Sequence, residues 1–320
     1  MSTATLYQPF KQFDFKGDLC FLSGAKPVED FSILPPWLIK MAGLTGEEQI
    51  KLLDESIRNY SSLKIPVNPH LKDVYLNPLE DKVEAAFEKG FAGVSALAEI
   101  YLFHWIGKLL YGFLYLEMQG AIRLKQLSND GLNMSQGLMH KFSNLHIMLQ
   151  GIYREVQFED FCPWSISVFE LKEEQVGFAF RDEINTLSFS LKFKNFGIIA
   201  CLQDNGTNKR FHQEILTEIG TKSILEVQFE EIAARYFYSA YLFNRLPEYT
   251  IMPVNEVIYI DPIPLRGTLN KALFDPWNNK TYAQVLENFW KPWGHPLLEI
   301  LKDPNQPLSY FENPHLPPSS

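Results

Sequence analysis

The stretch that most constrains the fold of this chain is ALAEIYLFHWIGKLLYGFLYLEMQ, residues 96–119. It is apolar on nearly every side of a helix, so other elements must pack around it from several directions. It is long enough to cross a bilayer, yet Glu99, His104, Lys108 and Glu117 interrupt it. Each charge at the centre of a bilayer costs about 2.5–3.5 kcal/mol. We therefore predict a long central buried helix in a protein that does not span a membrane.

Capping signals predict where this helix and its neighbours begin. Ser95 is placed to cap the central helix, which we expect to run to about Leu127. Before it, Asn77 and the proline that follows favour a helix start in NPLEDKVEAAFEKG. After it, Ser135 favours a further helix that runs to about Arg154. The N-terminal half is therefore predicted to be mostly helical.

Two other regions predict β-structure. At the start of the chain, KGD between FKQFDF and LCFL favours a β-hairpin. Further along, SISVFELK, QVGFAFRDE and TLSFSLKFKNFGIIACLQD alternate apolar and polar residues, as a half-buried antiparallel meander does. The polar face of this meander is a candidate surface for a protein partner or a second copy of the chain. That face carries Gly177, Ala179, Ser188, Ser190 and Lys192.

These patterns define an α+β fold in which the antiparallel β meander is packed with helices. We divide it into an N-terminal hairpin/helix module over residues 1–94, a helical core over 95–155 and an α+β body over 156–302. A Pro-rich extended tail occupies residues 303–320. Because the central helix needs covering and the meander can cover it, these parts are also compatible with one integrated domain.

Composition limits the function classes. The chain has 29 Lys and Arg against 38 Asp and Glu, a formal charge of −9, which disfavours nucleic acid as a partner. Three cysteines are too few for a disulfide framework, and the N-terminus lacks the pattern of a secretory signal, so a cytoplasmic location is expected. Because no phosphate-binding loop, dinucleotide-binding glycine motif or H-E-x-x-H motif occurs, we expect no cofactor.

Three N-terminal segments have motif-like spacings. CFLSG has the spacing of half a metal knuckle, FSILPPWL comes next, and IPVNPHLKDVYLNPLEDKV leads into a helix. With WIGKLLYG further along, they make the first 120 or so residues resemble HNH-type (His-Asn-His, treble-clef) endonuclease domains. The closer resemblance is to uncharacterised bacterial proteins with an HNH-like start and a long extension. This resemblance implies a structural zinc and a catalytic divalent metal.

The positions that would hold the zinc have lost most of their ligands. The resemblance places them at Cys20, Ser23, Asn68 and Leu71, whereas a structural zinc needs four thiolate or imidazole ligands. His70 lies next to the expected position and could replace one ligand, but two ligands do not hold a structural zinc. We therefore expect a degenerate, metal-free module whose interior is filled by apolar side chains. The candidates for this filling are Phe21, Ile33, Leu34, Leu71 and Val74.

The catalytic positions of the module are also altered. The resemblance places the general base at Ser32, whose hydroxyl does not accept a proton at neutral pH without its own activator. Lys72, near the usual metal-ligand position, would repel a cation. These departures predict a catalytically inactive relative of the HNH nucleases that acts through binding, so enzymatic activity is disfavoured.

Three alternatives stay open. The first is a metal-dependent nuclease with rearranged ligands, for which Asp30, His70 and Asp73 are the candidates. The second is a metal-independent nucleic-acid binder, against which the net charge counts. The third concerns His104 and Lys108, one turn apart on the central helix. They either line a pocket or form the more frequent pair of a hydrogen-bonded core histidine and a lysine that reaches out to solvent.

Overall fold

A computed structural model describes most of the chain. It covers residues 6–13, 15, 17–52, 54–128, 134–173, 176–265 and 271–312. Helices and antiparallel strands are both abundant, so the predicted α+β class is confirmed. Contacts divide the chain into two compact units. The first consists of Met1–Cys162 and Leu246–Ile263, and the second of Pro163–Arg245 and Pro264–Ser320.

The helices and strands of the described residues are named in chain order. The helices are α1 (Pro9–Gln12), α2 (Pro36–Met41), α3 (Pro69–Leu71), α4 (Asn77–Glu88), α5 (Phe91–Ala96), α6 (Glu99–Ser128), α7 (Gln136–Leu149), α8 (Thr207–Phe211), α9 (Gln213–Ile219), α10 (Glu226–Leu242), α11 (Asn279–Phe289) and α12 (Leu297–Ile300). The strands are β1 (Glu29–Ser32), β2 (Gln49–Lys51), β3 (Ile57–Asn59), β4 (Lys64–Val67), β5 (Glu155–Phe158), β6 (Trp164–Glu170), β7 (Val176–Glu183), β8 (Ser188–Lys194), β9 (Phe196–Leu202), β10 (Tyr249–Val254) and β11 (Val257–Pro262).

The predicted central helix is confirmed as α6, in the first unit. Its middle turns are buried on every side, in keeping with its all-round apolar sequence. The predicted start at Ser95 is wrong, because Leu97 is extended and ends the separate short helix α5. Within the part of the chain that the structure describes, no helix has both the length and the apolar character that a membrane span requires.

The predicted N-terminal β-hairpin is wrong. Residues 9–12 form α1, Phe13 has a left-handed backbone with φ of 48°, and the described residues from 17 to 28 contain no strand. The phenylalanines of this stretch instead anchor one by one on the central helix. Phe10 lies 6.4 Å from Tyr111, and Phe15 lies 5.4 Å from Tyr115, measured between ring centroids. The antiparallel ribbon of this region is formed by β1 and β4.

The helix that follows this ribbon begins earlier than its sequence signals indicated. Asn68, not Asn77, is the cap, since its side-chain oxygen accepts the backbone N–H of Leu71 at 3.3 Å. The chain stays helical through α3 and a π-helical turn at Lys72–Leu76 into α4. By contrast, the cap at Ser135 is confirmed by its hydrogen bond to the backbone N–H of Leu138. The result is a strand–strand–helix arrangement, β1–β4–α3/α4, next to α6.

The predicted meander is confirmed in the second unit, where four antiparallel strands lie in the order β6-β9-β8-β7. The helix α10 covers one face of this sheet. It packs so closely that a side chain at Gly197, on β9, would overlap the ring of Phe229. The first unit contains a separate three-stranded sheet in the order β10-β11-β5.

The proposal that the polar face of the meander is a flat exposed surface is wrong for β8. Ser188, Ser190 and Lys192 are buried. The Lys192 ammonium group lies 2.6 Å from a carboxylate oxygen of Glu226 and 2.6 Å from one of Glu230, both on α10. A period-two pattern shows which residues share a face, but it does not show that a helix brings matching carboxylates to that face. Only Gly177 and Ala179, on β7, are exposed as expected.

The C-terminal tail is described through Glu312, while the rest of the predicted Pro-rich segment, residues 313–320, lies outside the described residues. Residues 303–312 form neither helix nor strand. Even so, Tyr310 is buried against Trp290, with ring centroids 5.1 Å apart. This part of the tail therefore belongs to the packed structure of the second unit.

Candidate functional site

A pocket of about 360 Å³ opens at the strand–strand–helix arrangement of the first unit. Strand β1 supplies one wall, the two prolines at the start of α2 another, and the helix that follows β4 a third. Asp30, Ser32 and Lys72, three positions singled out from the sequence, line this pocket together. The remaining lining residues are Phe31, Pro35, Pro36, Trp37, Asn77, Glu80 and Asp81.

A buried ion pair forms the base of the pocket. Glu80 is only 7% exposed, and its carboxylate pairs with the ammonium group of Lys108, which is 0% exposed. The second carboxylate oxygen accepts hydrogen bonds from the indole N–H groups of Trp37, at 2.8 Å, and Trp105, at 3.1 Å. The Lys108 ammonium also lies 5.1 Å from the ring centre of Phe31. These contacts fix one wall of the pocket before any ligand binds.

This pair corrects the sequence-based interpretation of the central helix. Lys108 does not reach out to solvent; it is enclosed, and Glu80 compensates its charge. His104 is a core residue as expected, but its Nε2 atom has no hydrogen-bond partner among the described residues. Burial lowers the pKa of His104 to about 4, so this side chain is neutral at pH 7.

The rim of the pocket carries charges that are already paired. The Lys72 ammonium group lies 2.7 Å from the carboxylate of Glu29, and the Lys64 ammonium lies 3.5 Å from that of Asp30. All four side chains are partly exposed, so each pair contributes only about 0–1 kcal/mol to stability. Their importance is electrostatic, because two ammonium groups stand beside the acidic residues that a divalent cation would need.

The candidate ligands of the alternative metal site are not grouped around one point. His70 and Asp73 are exposed, and Asp73 accepts a hydrogen bond from the Asn77 side chain at 3.2 Å. Asp30 lines the pocket, where it pairs with Lys64. Among the residues that the structure describes, no three His, Cys, Asp or Glu side chains are grouped so that they could hold a metal ion.

The four positions matched to a zinc site do not fit zinc. Cys20 is completely buried, and Leu71 offers no donor atom. Asn68 uses both ends of its amide, because its oxygen caps α3 and its Nδ2 donates to the carbonyl of Pro27 at 3.2 Å. Ser23 accepts the backbone N–H of Ala25 at 3.4 Å.

Hydrocarbon fills much of this region, as the sequence indicated. Phe21, Ile33, Leu34 and Leu71 are buried, which confirms four of the five candidate filling residues. The fifth prediction is wrong, because Val74 is 46% exposed on the π-helical turn. The backbone N–H of Phe21 also donates to the carbonyl of Pro66 at 2.8 Å, which ties the knuckle-like turn to β4.

Sequence reasoning missed the pairing of the two most unusual residues of the site, Glu80 and Lys108. Glu80 looks like a first-turn acid of a helix that starts at Asn77, but the helix starts earlier and Glu80 lies within it. The available signal was its spacing from Val83 and Phe87, which puts a carboxylate on the apolar face of α4. A carboxylate on an apolar face predicts a buried partner. Lys108, on the apolar helix α6, was the other half of that signal.

Comparisons of the chain with protein-family models, curated proteins and solved structures found no match.

Proposed function

We propose that this chain is a cytoplasmic, non-catalytic relative of the HNH endonucleases that acts by binding at the pocket of its first unit. The observation that carries the proposal is the charge arrangement at the pocket rim. Lys72, which the resemblance places near a metal-ligand position, presents its ammonium group to Glu29, and Lys64 presents its ammonium group to Asp30. The positive charge of a lysine ammonium group repels a nearby metal cation, so these lysines oppose metal binding.

The chemistry of the donor groups also supports a metal-free module. The Asn68 amide is committed to a helix cap and to the Pro27 carbonyl, and Leu71 has no donor atom. Ser32, at the expected base position, carries a hydroxyl whose proton stays on at neutral pH. These side chains therefore supply neither a general base nor a set of metal ligands that would activate water.

The binding part of the proposal is supported by the shape and lining of the pocket. It is concave, and an aromatic wall and a few polar groups converge in it, as in most small-ligand sites. Trp37 is half-buried, and its indole is held in place by its hydrogen bond to Glu80. A wall that is fixed before binding loses little entropy when a ligand arrives.

The non-catalytic part is tested by metal analysis and cleavage assays on the purified full chain. We expect no stoichiometric zinc, and no cleavage of DNA or RNA with Mg²⁺ or Mn²⁺, because the required ligands and base are replaced. The His70→Ala variant is the control. Tightly held zinc, or cleavage that His70→Ala abolishes, would overturn this part and establish a nuclease with rearranged ligands.

The binding part is tested with a mixture of small amines, carboxylates and neutral aromatic compounds. We expect at least one of them to shift the NMR signal of the Trp37 indole N–H, since this group lies in the pocket wall. The Ser32→Phe variant, which narrows the pocket from β1, should abolish that shift. If no compound moves the Trp37 signal, or if Ser32→Phe leaves the shift unchanged, the pocket is not a binding site.

A further inference from the structure

A second cavity, of about 540 Å³, lies wholly in the second unit. Its lining comes from α8, α9, α10, the segment before α11 and the C-terminal tail. Three of its walls are aromatic, formed by Phe211, Trp277 and Phe311. Phe211 is 43% exposed and lies nearly parallel to Trp277, with an angle of 24° and 6.2 Å between ring centroids. Phe211 also packs on Phe274, with 4.3 Å between ring centroids, so the exposed part of its ring is what it offers to a ligand.

The charged groups at the cavity are mainly acidic. Glu214 and Glu218 are separated by four residues on α9, so their exposed carboxylates stand on the same helix face. Glu312, from the tail, adds a third carboxylate to the lining. Like charges at this helical spacing repel each other and destabilise the helix. A cation bound between them would remove that repulsion.

The two basic side chains of the lining do not offset this acidity. The Arg235 guanidinium group donates to the carboxylate of Glu231 at 2.9 Å, and Glu231 is completely buried. The positive charge of Arg235 is therefore already matched by the negative charge of Glu231. His212 is stacked on Tyr236 and buried, and burial lowers its pKa to about 3, so it is neutral at pH 7. Arg235 also attracts the Glu312 carboxylate, and Glu214 and Glu218 add two further negative charges to the lining.

The tail side of the cavity is held in place by the same buried carboxylate. Glu231 accepts hydrogen bonds from the Ser309 hydroxyl and from the backbone N–H of Tyr310, each at 2.8 Å. The Tyr310 hydroxyl is 2.7 Å from Nε2 of His295, which anchors the tail at a second point. Phe311 and Glu312, the next residues, are thus placed at the cavity before a ligand binds.

We propose that this cavity binds an organic cation, with its ammonium or guanidinium group against the aromatic faces and beside the carboxylates of α9. Aromatic rings attract a cation through their quadrupole, and this attraction grows when water is excluded. An anion is disfavoured because Arg235 is already paired and three carboxylates face the same space. The inference goes beyond the function proposed for the first unit and concerns different residues.

The test compares choline with its uncharged analogue 3,3-dimethylbutan-1-ol, which has the same shape. Binding to the full chain is followed by NMR at the Trp277 indole N–H, identified by its loss in Trp277→Phe. We expect choline to give a saturable shift at millimolar concentrations and the neutral analogue to bind about tenfold more weakly. Equal binding of the two compounds, or no saturable shift with choline, would overturn the proposal.

A matched pair of double variants assigns the effect to the cavity. Glu214→Gln with Glu218→Gln should weaken choline binding about tenfold, and these exposed side chains are not needed for folding. Glu84→Gln with Glu88→Gln removes two carboxylates at the same helical spacing on α4, in the first unit. This control should leave binding unchanged. The inference is wrong if both double variants weaken binding equally, or if neither does.

Discussion

Replacing Lys108 with methionine is expected to lower the free energy of unfolding by about 3–5 kcal/mol. The substitution removes the cation and leaves the Glu80 carboxylate in a site that is only 7% exposed. The indole groups of Trp37 and Trp105 still donate to it, but they bring no positive charge. Chemical denaturation followed by tryptophan fluorescence would measure the effect. The cost comes from the unpaired charge, and the net contribution of the intact pair is smaller.

Two further variants separate this explanation from simple loss of packing. Lys108→Met combined with Glu80→Gln removes both charges, so most of the lost stability should return. Lys72→Met breaks a pair of the same type at the pocket rim, where both partners are partly exposed. This variant should cost about 0–1 kcal/mol. A Lys108→Met protein within about 1 kcal/mol of the parent would show that the burial of Glu80 does not control stability.

Acidification from pH 7 to pH 5 is expected to lower stability by about 2 kcal/mol for each deeply buried histidine. His146 is the best case, since it is completely buried and lies 2.9 Å from the carbonyl oxygen of Phe21. Burial lowers its pKa to about 4 in the folded chain, against about 6.5 in the unfolded chain. Between these values the unfolded chain binds the extra proton. Stability is therefore complete above the unfolded pKa and is lost as the pH falls towards 4.

The variant His146→Gln isolates this contribution. It should be less stable at pH 7, but it should lose about 2 kcal/mol less than the parent between pH 7 and pH 5. His70→Gln is the matched control, because it makes the same replacement at an exposed position. Denaturation curves at both pH values give the comparison. Parallel losses in His146→Gln and in the parent would mean that His146 does not contribute to acid sensitivity.

The fold was most predictable where a pattern extended over many residues. The all-round apolar stretch of α6 and the alternation in β7 and β8 were read correctly because each is produced by local geometry repeated along the chain. The N-terminal segment was misread as a hairpin because its apolar and polar residues alternate, as they do in a strand. In the structure its phenylalanines pack individually against α6, and a short alternating pattern does not distinguish these two arrangements. The cap at Asn77 was misread because Asn68 and Asn77, each followed by a proline, carry equal local signals.

The candidate site was predictable only in part. Ser32 and Lys72 were singled out by resemblance and Asp30 as a candidate ligand of a rearranged metal site, and all three line one pocket. The groups that shape that pocket, Glu80 and Lys108, are 28 residues apart. Each can be interpreted from its local sequence without a partner, Glu80 as an acid in the first turn of a helix and Lys108 as a lysine that reaches out to solvent. The polar face of β8 was misjudged similarly, because the carboxylates that bury Lys192 belong to α10.

By itself, the sequence determined the α+β class and the buried central helix, since both depend on residue type and periodicity alone. Only the tertiary structure decided which charges meet. Lys108 and Glu80 form a buried pair between two helices, whereas Arg235, which is 27% exposed, pairs with the buried Glu231 within one helix. Removing a charge from water is so costly that a buried lysine requires a carboxylate close by. Which carboxylate it meets depends on how the helices pack.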